Sequence, residues 1–324
     1  MLDPRLRRLV ERGRSGARAA ASRAIGVPLQ QHPTAAQDDR PSRELVAEIA
    51  RLRLQSLTSR RSVVDPAGEA VVTMTTHGSR ILLAWVALES IARGDVLPRR
   101  LILSLDAPEL ARPLPAPLRR LVARGLEIVP AKPGLRVHAK YWPYVGAIAQ
   151  HRMPLVVSDD DMIYPQRWLR VLVDAHRAQP ELVHGFRVHE MQCSEGAVWP
   201  YHLWMPADGT APSFAHFATG VSGQILPTAL LDRLHAAGEA FRELAPSADD
   251  VWINAQAVRA GIRTAQVEQR SRNFPFVPAT QATGLYQVNV AGRENDAQLA
   301  QSLQPADVAR ICADFEAIQQ RRRG

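Results

Sequence analysis

Apolar residues along this chain fall into short blocks that alternate between two periods. Residues 70–75 (Ala70-Val71-Val72-Thr73-Met74-Thr75) form a β-branched and apolar run, and the spacing predicts a buried strand there. It further predicts a helix over 81–91, a strand over 101–105, a helix over 116–123 and a strand over 126–129. The alternation continues with a helix over 144–150, a strand over 155–158, a helix over 166–176 and a strand over 182–188. Regular exchange of such strands with helices predicts an α/β domain: a mostly parallel, Rossmann-like sheet flanked by helices, with ligands gathering at the strands' carboxyl ends. Upstream, Leu45, Val46, Ile49 and Leu52 recur at helical spacing behind Ser42, which predicts a capped helix over 43–57 packed on that domain. Beyond Gln266 the periodicity fades through Asn273, Phe274, Pro275, Phe276, Tyr286 and Asn289, a stretch placed to close over a ligand. It returns in C-terminal helices to about Gln320.

Composition changes this picture little, but the location of charge changes it more. At 324 residues, 46% hydrophobic and 22% charged, the chain has the apolar material for one catalytic domain with appendages. Its formal charge of +8 looks like a nucleic-acid signal, yet residues 1–61 hold 13 Arg against 6 acidic residues, while residues 62–320 come to −2. The body is therefore not a basic surface that grips a duplex, and no nucleic-acid partner is expected. The implied division is a basic N-terminal arm and helix (1–61), a catalytic domain (62–300) and a C-terminal helix with a basic tail (301–324). Two readings of the arm stand side by side. It is either a solvated segment or, where Leu6, Leu9 and Val10 line up amid Arg5, Arg7, Arg8, Arg12 and Arg14, a short helix lying on an anionic membrane. Cys193 and Cys312 are too few for a disulfide framework and are expected to be reduced. With no signal peptide and no run of about 18 apolar residues, a cytoplasmic protein is expected, with any membrane contact at the inner face.

The chemistry concentrates at strand ends. Asp159-Asp160-Asp161 follows the apolar run Met153-Pro154-Leu155-Val156-Val157. Capping a helix uses one carboxylate and leaves two unexplained, so the triplet points to an oxygen-loving divalent ion that also carries phosphates. On extended backbone Asp159 and Asp161 share one face as metal ligands, and Asp160, on the other, is placed for sugar hydroxyls. The turn Thr75-Thr76-His77-Gly78-Ser79-Arg80 offers Thr76 and Arg80 to a phosphate or base, or Ser79 simply caps a helix. Asp106 after the second strand either accepts from a nucleobase or sugar, or caps Ala107-Pro108. Of the 40 Lys and Arg only Lys132 and Lys140 are lysine, both in one ten-residue segment. A compact ammonium suits a confined anion site, which favours Lys140, and the alternative is chance. In Thr219-Gly220-Val221-Ser222-Gly223 the two glycines either let backbone amides approach a donor or form an ordinary bulge. Asp249-Asp250 opens a helix, and adjacent carboxylates raise one pKa, so Asp250 is the candidate base and Asp249 its capping or acceptor-binding partner. The alternative is two acids favouring the helix dipole. Trp204, in the aromatic segment from Trp199 to Phe217, is a candidate acceptor platform, or part of a small core beneath a long loop.

The segment Val156-Val157-Ser158-Asp159-Asp160-Asp161-Met162-Ile163-Tyr164-Pro165 resembles the DxD segment of GT-A fold glycosyltransferases, particularly bacterial family-2-like enzymes of surface polysaccharide synthesis. The resemblance runs from about Val71 to Asp296. It takes in the Thr75–Arg80 turn, His138-Ala139-Lys140-Tyr141, the Thr219–Gly223 loop and Ala245-Pro246-Ser247-Ala248-Asp249-Asp250-Val251-Trp252. It implies Mn²⁺ or Mg²⁺ held against a donor diphosphate, a nucleotide diphosphate sugar as donor, and a glycan or lipid-linked glycan as acceptor. It departs from the family in that no His follows His235, so a third metal ligand falls to Asn295, Asp296 or water. Gln166-Arg167-Trp168 has the wrong spacing for the signature of processive synthases, and a single-addition enzyme is expected. Two other functions meet the same residues: a nucleotidyltransferase acting on a sugar phosphate, and a non-catalytic nucleotide- or glycan-binding module.

Overall fold

The computed structural model describes residues 42–278, 280 and 294–323. The Leu6, Leu9, Val10 stripe, Tyr286 and Asn289 lie outside the described residues. From Arg43 onward the chain forms one compact unit.

Its centre is a seven-stranded sheet in the order β12-β5-β11-β4-β1-β2-β3. These strands are β1 (Val71–Thr75), β2 (Arg100–Leu105), β3 (Leu126–Pro130), β4 (Leu155–Val157), β5 (Val183–Gly185), β11 (Gln224–Leu226) and β12 (Thr264–Gln266). All neighbours run parallel except β11, which is antiparallel to β4 and to β5. The sheet is buried on both faces, which explains the unbroken apolar runs: Val71, Leu155 and Val157 enter one core, while Val72, Met74 and Val156, pointing the other way, enter a second. The first core is closed by helices Thr228–Ala237, Asp249–Arg259 and Pro305–Arg323; the second by Ala84–Ala92, Ala116–Val122 and Trp168–Ala178.

Strand order matters more for the site than strand count. β1 leads to β2 and then β3 on one side, whereas β4 lies on the other side of β1. The sheet therefore changes winding direction between β1 and β4, and the region outside the carboxyl ends of those two strands is the crevice position where open α/β sheets bind ligands.

Two expected elements end early. The helix expected over 144–150 is instead the single turn Trp142–Val145, whose last carbonyl bond is made by Gly146 N–H to Trp142 O. The strand expected over 182–188 divides in two: β5 ends at Gly185, and β6 (Val188–Glu190) joins a separate antiparallel sheet with β9 (Met205–Pro206) and β10 (His216–Ala218). The expected long loop between Trp199 and Phe217 thus contributes two of that sheet's strands.

The flanking segments are part of the fold. Helix α1 (Arg43–Thr58) buries Leu52 against Val86, Ile163 and Val277. The C-terminal helix buries Ile311, Cys312 and Ile318. The hairpin of β7 (Cys193–Ser194) and β8 (Ala197–Val198) lies against that helix, where Cys193 and Cys312 form a disulfide with Cα atoms 5.4 Å apart. This corrects the expectation of reduced thiols: the pairing joins residues 119 positions apart, a proximity that only tertiary folding creates.

Candidate active site

β4 ends at Val157, and the next residues carry the acidic triplet into the crevice. Ser158 continues the β1 ladder by donating its backbone N–H to Thr73 O at 3.0 Å, so Asp159 emerges at the sheet's edge. The triplet is held from behind. Tyr164, fully buried, places its hydroxyl 2.7 Å from the Asp159 amide, which donates to it. Val277 N donates to Asp161 O at 2.6 Å, and Ile163 N to Pro275 O at 2.9 Å, so residues 275–277 lie alongside the segment after the triplet.

Residues following β1 cover one side of the triplet. Thr76 Oγ1 donates to Asp160 Oδ2 at 2.5 Å, and Arg80 grips Asp160 through both Nε and Nη2. Arg80 Nη2 also lies 3.0 Å from Asp161 Oδ2. Burial works against the Arg80 charge, but the hydrogen bond and charge of Asp160, with Asp161 and Asp159, hold its pKa above the ordinary value. Neither Ser79 nor His77 caps a helix here; Gly78 instead begins a 3₁₀ turn, Gly78–Leu82, that presents Arg80.

From the other side comes Lys140. Its Nζ stands 2.7 Å from Asp159 Oδ1 and 3.1 Å from Asp249 Oδ2, so one ammonium bridges the triplet to the start of helix Asp249–Arg259. Burial disfavours the ammonium, yet Asp159, Asp249 and Asp250 raise its pKa well above the normal lysine value. His138, two residues earlier in the same turn, hydrogen-bonds Ala245 O at 2.7 Å and so ties this turn to the segment leading to Asp249; burial lowers its pKa to about 4 and keeps the ring neutral. Lys132 is not part of this arrangement and pairs with Glu239 on the surface.

The acidic pair does not cap its helix. Ala248 occupies the cap position without a side-chain bond, and the two carboxylates turn instead to Lys140 and to the Gly220 amide. Asp249 meets Lys140. Asp250 Oδ1 accepts from Gly220 N at 2.8 Å and Gln224 Nε2 at 3.2 Å. Burial, then the Asp249 charge, opposed by Lys140, pushes the Asp250 carboxyl up to about 8. Asp161 is raised to about 6 by burial and by Asp159, with Arg80 opposing.

The two glycines of the Gly220–Gly223 loop differ. A Cβ at Gly220 would fall 3.0 Å from Lys140 Nζ and 3.3 Å from Asp250 Oδ1, so this glycine opens the space the two charges share. Gly223 faces away: at φ +92° its missing Cβ makes room for the Trp168 indole, 2.7 Å from where that atom would stand. This replaces the expected donor contact with a packing role. Asp106 lies at the end of β2, where burial and Glu109 raise its pKa, and it caps no helix by its side chain. No hydrogen bond or ion pair joins it to the triplet among the described residues.

Trp204 is corrected as well. The ring is 2% exposed, packed between Tyr201 and Phe217, with Nε1 donating to Trp199 O at 2.8 Å. A buried indole offers no face to a sugar. Asp296, considered as a metal ligand, instead accepts from Tyr201 N at 2.7 Å. Gln224 and Tyr164 were not singled out in the sequence. Gln224 reaches Asp250 across 26 positions, and Tyr164 lies only five residues after Asp159, but no sequence pattern marks either one.

The charge balance is what the crevice can use. Among the described residues, Asp159, Asp160, Asp161 and Asp249 form ion pairs with Arg80 and Lys140, and Asp250 lies beside them. Clustered carboxylates with an all-oxygen donor set suit a hard divalent cation such as Mn²⁺ or Mg²⁺. Among the described residues no three or more His, Cys, Asp and Glu are grouped to hold a metal alone. An ion here would complete its shell from substrate oxygens or water.

No protein-family model matches the chain, and no curated protein matches it in sequence. Solved structures resemble it in part, two of them as follows. Residues 1–349 of TarS from S. aureus share 16% identity over 76% of this chain and 70% of that one, at a TM-score of 0.42. A mannosyltransferase from Pyrobaculum calidifontis, in complex with GDP-Man and Mn²⁺, shares 16% identity over 85% of this chain and 82% of that one, at a TM-score of 0.41. Both likenesses are weak, and the chemistry of the site rests on the residues above.

Proposed function

We propose that this chain is a metal-dependent GT-A type glycosyltransferase. It transfers a sugar from a nucleotide diphosphate sugar to a hydroxyl acceptor in single additions, within glycan or glycoconjugate synthesis. The observation carrying this reading is the clustering, among the described residues, of Asp159, Asp160, Asp161, Asp249 and Asp250 with Arg80 and Lys140 where the sheet changes winding direction. That position and charge suit a pyrophosphate carried by a divalent ion.

Asp159 and Asp161 would hold the ion. When bound, it would neutralise negative charge developing on the leaving diphosphate. Arg80 and Lys140, now paired with carboxylates, are the groups placed to take phosphate oxygens once the metal compensates the acids. Asp160, held by Thr76 and Arg80, would take hydroxyls of the donor once Arg80 turns to phosphate.

In an inverting course the acceptor oxygen forms a bond to the anomeric carbon as the bond to the diphosphate breaks. The electron pair leaves with the phosphate oxygen, and the acceptor proton passes to Asp250. Both hydrogen bonds to Asp250 use Oδ1, which leaves Oδ2 to take that proton. A retaining product would reassign Asp250 to orienting substrate.

The test is a panel of nucleotide sugars with Mn²⁺, following nucleoside diphosphate release and the anomeric configuration of the product. Diphosphate release with sugar transfer supports the reading. Pyrophosphate release from a nucleoside triphosphate would instead identify a nucleotidyltransferase, and ligand binding without turnover a binding module.

A further inference from the structure

Helix α1 has two apolar faces, and the fold uses only one. Leu45, Ile49, Leu52 and Ser56 turn inward. Val46, Leu54 and Leu57, on the opposite side, are 51%, 61% and 59% exposed, and Ala47 and Ala50 between them are exposed too. At 100° per residue these five fall on one stripe. Leu82, 60% exposed, ends the 3₁₀ turn that carries Arg80.

Charge decides what this face fits. Arg43, Arg51, Arg53, Arg60 and Arg61 are all exposed around it. The two acids of the helix, Glu44 and Glu48, sit four residues apart on another flank, and Glu48 is taken up by Arg51 and Arg93. Beside Leu57 a cavity of about 250 Å³ is lined by Arg53, Ser56, Leu57, Trp85, Pro117 and Arg120, which brings two guanidinium groups to one recess. Residues 1–41, entering this helix, add eight Arg against four acidic residues. A second copy of the same face, or the chain's own first 41 residues, would bring like charge against like charge. A surface that is both apolar and anionic suits the stripe and its arginines together.

We propose that the outer face of α1 docks the folded domain on an anionic lipid bilayer, with Val46, Leu54 and Leu57 in the interfacial zone and the surrounding arginines at the headgroups. This differs from a membrane contact by the N-terminal arm alone, because it fixes the domain's orientation. It is also independent of the reaction catalysed. Among the described residues no helix is long and apolar enough to cross a membrane, so the contact is with the surface.

The full chain is sedimented with vesicles of pure phosphatidylcholine and with equimolar phosphatidylcholine and phosphatidylglycerol. Binding is expected to the anionic vesicles, weakening with salt. L54E/L57E is expected to lower it by about tenfold or more, and R51Q/R53Q by about tenfold, with far-UV circular dichroism unchanged in both. The proposal is overturned if L54E/L57E binds like the parent protein, if both vesicle types bind equally, or if neither binds. It is also overturned if analytical ultracentrifugation shows a dimer that L54E/L57E abolishes, which would assign the face to a second copy.

Discussion

Lys140 Nζ lies 2.7 Å from Asp159 Oδ1, and the same ammonium reaches Asp249. One side chain therefore ties the acidic end of β4 to the start of the helix that carries the candidate base. Lys140→Met leaves two nearby carboxylates without their shared cation. Removing one partner of a buried pair costs about 3 kcal/mol, and in the proposed role of Lys140 the loss of its charge costs about a hundredfold in turnover. Thermal unfolding and steady-state kinetics on the same preparation check both; unchanged kcat/KM would remove Lys140 from the site.

Gly220→Ala separates site geometry from folding. The added methyl meets the mobile end of Lys140 at 3.0 Å and the Asp250 carboxylate at 3.3 Å, so the site must give before the backbone does. Stability is expected to fall by about 1 kcal/mol or less, with a larger proportional fall in turnover. Gly223→Ala is expected to do the reverse. Positive φ and the Trp168 ring make it cost about 2–3 kcal/mol, with the remaining folded enzyme active.

Asp250 carries a pH signature. Its carboxyl is raised from 3.8 to about 8 in the folded protein, so between those values the folded state holds a proton that the unfolded chain has released. The stabilisation is complete below pH 4 and is lost as pH rises through 8, at roughly 1 kcal/mol per pH unit in between. Asp250→Asn removes this group's share of the slope, so its Tm should gain on the parent's as pH rises from 5 to 8. In kinetics the parent's transfer rate should climb toward pH 8 as the base form appears, and the Asn variant should be about 10²- to 10⁴-fold slower. A variant with the parent's Tm–pH curve would show that the carboxyl titrates normally.

The strands of the sheet's centre were legible because burial on both faces leaves an unmistakable run: expected 101–105 and 126–129 became Arg100–Leu105 and Leu126–Pro130. The acidic triplet and Asp249-Asp250 were legible because adjacent like charges need a reason. What the residues around them do was not. Asp249 reads as a helix cap until Lys140, 109 positions earlier, is seen to claim it. Gly220 and Gly223 look alike in sequence, yet one borders Lys140 and the other Trp168. Trp204 does lie between regular elements, but its burial was hidden because β9 and β10 are only two and three residues long, too short to show a period.

The disulfide gives a separate prediction. Cys193–Cys312 closes a loop of 119 residues and pins the last helix to the β7–β8 hairpin. Reduction is expected to lower stability by about 2–4 kcal/mol. Cys193→Ser/Cys312→Ser should match the reduced protein and ignore added dithiothreitol. Identical unfolding with and without reductant would show that the bond contributes nothing.

The central claim is that Asp159 and Asp161 share a divalent ion with a sugar-linked pyrophosphate. A crystal grown with Mn²⁺ and the donor found in the nucleotide-sugar panel, measured for anomalous scattering, tests it directly. The expected result is a manganese peak at ligand distance from both carboxylates and from the diphosphate, with Arg80 and Lys140 moved toward phosphate oxygens. A peak elsewhere, or none, with Asp159 still on Lys140 and Asp161 still on Arg80, would contradict it.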